Sequence, residues 1–179
     1  MAAIVHYLEA AAMSLIPDWA PNIHPLLVHF PISLLIAATV VDLLSLMWPA
    51  RRAIRDTATW FYCAGAFMAM AAYFSGLAAA GALRVSPETG AAVTSHFMWA
   101  DRTTWFFVVF ASFRMTISYI WKSATRWLAL LSLIGALVGL GLLLAATTHG
   151  ERLVFRFGLG VASVPSTGQP WSMPERTLK

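Results

Sequence analysis

The sequence predicts an all-α protein: a four-helix transmembrane bundle with a short N-terminal interfacial helix and an extended C-terminal tail. Of its 179 residues 59% are apolar and 11% charged, whereas a soluble domain has about 45–50% and about 25%. Four apolar stretches, 26–48, 59–82, 103–121 and 127–147, each come close to the ~20 residues a helix needs to cross ~30 Å of hydrocarbon. Basic residues crowd two short connections: Arg51, Arg52 and Arg55 with Asp56, then Lys122 and Arg126 with no acid.

The first 20 residues lack a basic leader and carry Glu9 and Asp18, so they do not read as a cleaved signal. They read as the interfacial helix, with Ile4, Tyr7, Leu8 and Met13 as its lipid-facing residues. The membrane domain follows over 21–149. Its first helix, about 25–48, opens with Asn22 as a cap and Pro25 in the first turn, where a missing N–H goes unnoticed. The others run over about 59–82, 97–121 and 127–148, with Trp60, Trp99, Trp105, Trp121 and Trp127 near their ends as interfacial markers. The tail, 150–179, contains Leu153 to Val161, which reads as extended or hairpin-like, and then Pro165, Ser166, Gly168, Pro170 and Pro174, an irregular strap. No internal repeat and no second soluble domain is evident.

The same composition excludes several functions. Twelve basic residues against eight acidic ones are too sparse for a nucleic-acid surface. One cysteine, Cys63, excludes an intramolecular disulfide framework, a Cys-based zinc site and haem attachment through C-x-x-C-H. The short basic loops belong in the cytoplasm by the positive-inside rule. That puts both termini in the periplasm of a bacterial inner membrane.

Helix alternation then assigns a depth to each polar residue. His24, His29, His96 and His149 all fall at one membrane face, opposite the basic loops. A histidine at hydrocarbon depth is unfavourable unless it faces the bundle interior, pairs or coordinates a metal. Four of five at one end therefore mark a candidate cofactor site. Neutral imidazole suits haem iron, copper or zinc. In a helical bundle a b-type haem held by histidines from two helices fits best. His29 and His96 are the preferred axial pair, with His24 and His149 as a second pair or as hydrogen-bond donors. One or two haems follow, and a quinone site is possible. His24 and His29, five apart, point about 140° away from each other on an ideal helix and so serve different roles. Pro31 removes a hydrogen bond and bends the helix beside His29.

Asp101 and Arg102 follow His96 by about a turn, placed to orient an imidazole, bind haem propionates or meet an acidic partner; Arg152 and Arg156 lie near the same face. Toward the other face, Asp42 and Arg114 both sit roughly 10–12 Å from the basic loops at 1.5 Å rise per residue. They are expected to meet as a structural ion pair between helices 1 and 3. Gly135 and Gly139 form a G-x-x-x-G that favours close packing of helix 4.

Asn22 to Pro31 (NIHPLLVHFP), His96 ahead of helix 3, and Gly150 to Val161 (GERLVFRFGLGV) together resemble a bacterial membrane family catalogued as domain of unknown function 2231. The resemblance covers roughly residues 20–162. Where that family has Gly-Gly before Leu-Val, this chain has Gly150-Glu151-Arg152. The resemblance implies a four-helix membrane domain, in some members joined to Rieske or cytochrome c modules, and hence a place in respiratory electron flow. His24, His29 and His96 carry over by motif. The chain itself presents no nucleophile-and-base arrangement, so chemistry on a substrate would belong to a partner subunit. The expected function is that of a membrane electron-transfer subunit whose partners are the lipid bilayer and a cytochrome c or Rieske-type protein. The alternatives are a cofactor-free anchor or assembly subunit and a His-based copper or zinc protein.

Overall fold

A computed structural model describes residues 22–48, 51–81, 83, 85–121 and 125–160. The interfacial N-terminal segment and the strap beyond residue 160 lie outside the described residues.

Four long helices are present, each long and apolar enough to cross a membrane: α1 (His24–Met47), α2 (Arg52–Gly81), α3 (Pro87–Met115) and α4 (Arg126–Phe155). Helix α1 opens with the His24 N–H donating to Asn22 Oδ1 at 2.9 Å. It is interrupted at Val28, between a first turn His24–Leu27 and the run His29–Met47. Pro31 supplies no N–H for the Leu27 carbonyl, which loosens the ladder at that point.

Helices α2 and α3 begin earlier than their apolar stretches. The basic 49–58 connection is mostly helix, since α2 starts at Arg52, where Arg52 and Asp56 pair at 3.5 Å one turn apart. Helix α3 starts at Pro87 rather than near 97. Ser86 caps it, its Oγ accepting the Thr89 N–H at 3.3 Å, and Pro87 and Glu88 fill the first turn. His96 therefore lies in the third turn of α3, not at its head. After Met115 the chain continues as a π-helix, Thr116–Trp121.

The expectation of an extended segment from Leu153 is corrected. Helix α4 runs through Gly150 to Phe155 and ends in turns over 156–160. Gly158, at φ 64°, lets the N–H groups of Gly158 and Leu159 turn back to the Val154 and Leu153 carbonyls. The β-branched and aromatic residues that suggested a strand are carried on the outside of this last turn, where Val154 and Phe155 are exposed.

Helix α1 packs on α2, α2 on α3, α3 on α4, and α4 closes back on α1, while α1/α3 and α2/α4 stand on the diagonals. Leu35, Tyr62, Phe107, Phe110, Ala136 and Leu143 fill the centre. Tyr62 meets Phe110 edge-on at 4.9 Å. Phe67, Val109, Ile134 and Leu144 point outward, as a lipid-facing surface requires.

The buried positions disclose an internal repeat, contrary to the expectation of none. A shift of 72 carries the six buried residues of His29–Met47, namely Pro31, Leu35, Ala38, Thr39, Asp42 and Ser45, onto Thr103, Phe107, Phe110, Ala111, Arg114 and Ile117, all buried. A shift of 74 carries Ala58, Tyr62, Gly65, Ala69 and Ala72 onto Ser132, Ala136, Gly139, Leu143 and Ala146, the buried positions described in α4. The protein is thus two helical hairpins, α1–α2 and α3–α4, running in the same sense. Such repeats in membrane proteins are related by an axis along the membrane normal. Equivalent layers follow. Leu35 packs where a Cβ on Gly65 would stand, 2.6 Å from its Cδ2; Phe107 does the same at Gly139, with Cζ at 2.6 Å. Each glycine admits a large core side chain at backbone distance.

Candidate functional site at the histidine end

The outermost layer of the repeat is made of histidines. His24 and Leu35 are eleven residues apart, as are His96 and Phe107; eleven residues are close to three helical turns, so each pair shares a face. The opposing glycines, Gly76 with Gly65 and Gly150 with Gly139, keep the same interval.

His24 lies over Gly76, its Cε1 2.9 Å from where a Cβ would stand. Its Nδ1 is 2.9 Å from the Ala72 carbonyl and 3.0 Å from Ser75 Oγ, and that hydroxyl donates to the same carbonyl at 2.9 Å. His96 repeats the arrangement on α4: its Cε1 is 3.0 Å from a Cβ position on Gly150, and its Nδ1 is 3.0 Å from the Ala146 carbonyl. In both cases the accepting carbonyl lies four residues before the glycine. A carbonyl can only accept, so the proton of each neutral ring sits on Nδ1 and the Nε2 lone pair is left available. Among the described residues neither Nε2 has a hydrogen-bond partner.

His149 occupies the position equivalent to Ser75. Its Nδ1 donates to the Ala145 carbonyl of its own helix at 2.8 Å, and its ring lies against Trp99 of α3, centroids 5.9 Å apart. His24, His96 and His149 thus lie at the same end of the bundle, all partly buried, whereas His29 is exposed. Arg102 lies over Trp99 at 5.2 Å, and Asp101 interacts with Tyr73 of α2. Among the described residues neither pairs with an imidazole. Arg156 pairs loosely with Glu88 at 3.8 Å; Arg152 is exposed.

At the other end Arg114 Nη2 is 2.9 Å from Asp42 Oδ1 and Nη1 is 3.1 Å from Oδ2, a bidentate pair of two buried residues. These positions are also equivalent under the shift of 72. They lie eighteen residues, five turns or roughly 27 Å, from His24 and His96. A cavity of about 90 Å³ opens beside them, lined by Arg52, Arg55, Ser118 and Ser132 among others.

Sequence reasoning missed the glycines and carbonyls that hold the imidazoles. The signal was present: Ala71-Ala72-Tyr73-Phe74-Ser75-Gly76 at the end of α2 matches Ala145-Ala146-Thr147-Thr148-His149-Gly150 in α4 as A-A-x-x-[S/H]-G.

These features define a multi-pass, four-helix membrane protein built from two like hairpins, with a histidine cluster at one end and a buried ion pair toward the other. The chain belongs to the DUF2231 family of predicted membrane proteins, whose match spans residues 20–163. Neither a search of curated proteins nor one of solved structures gives a match.

Proposed function

We propose that this protein is a membrane electron-transfer subunit that holds b-type haem through imidazoles at its histidine end. In this reading that end faces the periplasm of a bacterial inner membrane. It exchanges electrons there with a cytochrome c or Rieske-type partner, with the quinone pool as a carrier on the lipid side.

The observation that supports it is the state of the rings. Imidazoles that ligate metals donate their other N–H to a carbonyl or carboxylate, which fixes the tautomer and raises ligand basicity. His24 and His96 have that arrangement, on different helices at one depth. The donor set also separates the candidates. Structural zinc sites take four protein ligands and catalytic ones three, and among the described residues no three His, Cys, Asp or Glu side chains are grouped to hold an ion. Haem needs only axial ligands from the protein, so these residues fit it. When bound it supplies reversible one-electron chemistry. The imidazoles hold and orient it, and the exposed Arg102 and Arg152, interspersed with Asp101 and Glu151, offer charged contacts of both signs to a partner surface.

A second reading treats the two histidines as latches alone. The close seating of His24 on Gly76 and of His96 on Gly150 favours it, and the protein is then a cofactor-free anchor. The absorption spectrum of the purified, dithionite-reduced protein decides. A Soret band with sharp α and β bands supports haem. A colourless protein without bound metal refutes the haem and the copper or zinc readings together, and copper or zinc without porphyrin supports the latter.

A further inference from the structure

We infer that the chain carries a single haem on the axis of the repeat, ligated by Nε2 of His24 from the first hairpin and Nε2 of His96 from the second. This rests on the haem reading above and makes it specific. Depth alone favours His29 with His96 and allows two haems; the repeat favours a different pair and one site.

Three features single out His24 and His96. They are equivalent under the shift of 72 that also relates the buried faces of α1 and α3. Each is anchored by Nδ1 to a carbonyl of the following helix, Ala72 or Ala146, and seated on the glycine one turn beyond. The helices that carry them are diagonal partners, so they approach from opposite sides of the bundle. The other histidines break the pattern. His149 has no histidine equivalent, because Ser75 stands there, and it donates within its own helix. His29 is exposed and is equivalent to Asp101.

The equivalence makes the test symmetric. In the wild-type protein, the pyridine haemochrome assay should give one haem per chain, and the native absorption spectrum should be low-spin. His24→Met and His96→Met should each exchange one imidazole for a thioether and leave the other imidazole in place, shifting the reduced α band and the potential in the same sense. His29→Gln and His149→Gln should retain the wild-type low-spin spectrum. Should a ligand variant fail to fold, Gly76→Ala and Gly150→Ala keep both imidazoles and press on them from 2.9 and 3.0 Å; each should perturb the low-spin signal. Two haems per chain, or a low-spin spectrum unchanged in His24→Met or in both glycine variants, overturns the pair and leaves the haem reading standing. A wild-type protein without a Soret band refutes the haem reading itself.

Discussion

Replacing Asp42 by Asn leaves Arg114 charged at a site where the two side chains are 6% and 8% exposed. Asn keeps one acceptor for the guanidinium but removes the charge and the two-point geometry. The remaining contacts of Arg114 are a 3.5 Å bond from Nη2 to the Arg55 carbonyl and the Tyr62 face at 5.5 Å, while Nε has no partner. Removing one partner of a buried pair costs about 3–5 kcal/mol. The lower figure applies because Arg114 lies near the basic end and its long side chain can reach toward the interface. A loss of about 3 kcal/mol is roughly a hundredfold in the folded-to-unfolded ratio. The repeat adds a sharper test. Positions 42 and 114 are equivalent, so the exchange Asp42→Arg with Arg114→Asp should rebuild the pair. It should fall short of wild type by roughly 1–2 kcal/mol, because the residue equivalent to Tyr62 is Ala136 and the relocated guanidinium loses an aromatic face. The assay is loss of helical circular dichroism on SDS titration of the protein in mixed micelles. A free energy unchanged by Asp42→Asn, or an exchange as unstable as the two single replacements added together, would refute the reasoning.

Two further outcomes follow from the packing. Gly65→Ala and Gly139→Ala each place a methyl 2.6 Å from a core side chain and should destabilise by about 1–3 kcal/mol. Gly141→Ala meets nothing within 4 Å and should stabilise by about 0.4–1 kcal/mol, read from thermal unfolding in detergent. Thr103 Oγ1 has one proton to share between the Trp99 carbonyl of its own helix at 2.7 Å and the Leu142 carbonyl of α4 at 3.0 Å, so Thr103→Val should cost no more than about 0.6 kcal/mol, a typical value for interhelical bonds in membranes; a loss above about 2 kcal/mol in the same SDS titration would contradict this.

The four helices were legible in the sequence because an unbroken apolar run has no other stable use in a membrane. Their polar ends were not. Residues 52–58 and 87–96 are helical without being apolar, and only the Ser86-Pro87-Glu88 start carried a local sign. Gly150 read as a stop because a glycine after a long helix commonly ends it; here it remains helical beneath the His96 ring. Counting residues was enough to bring Asp42 and Arg114 to one depth. The repeat escaped because its equivalent positions exchange chemistry: Leu35 for Phe107, Ser75 for His149, and a carboxylate for a guanidinium. The few pairs that stay identical, among them His24 with His96, Gly65 with Gly139, Ala72 with Ala146 and Gly76 with Gly150, are too widely spaced to register as a repeat in the sequence.

The two hairpins bear on how the chain is made. Residues emerge from the ribosome in order, so α1 and α2 are both in the membrane, with His24 on Gly76 and Leu35 on Gly65, before α3 exists. At that stage Asp42 lacks the bidentate partner that holds it in the complete protein, and an acid at that depth without such a partner is unfavourable in lipid. Arrival of Arg114 removes the penalty. The nascent first half therefore carries a built-in reason to wait for the second, and a chain truncated after α2 presents a membrane protease or chaperone with a carboxylate that only the complete protein conceals.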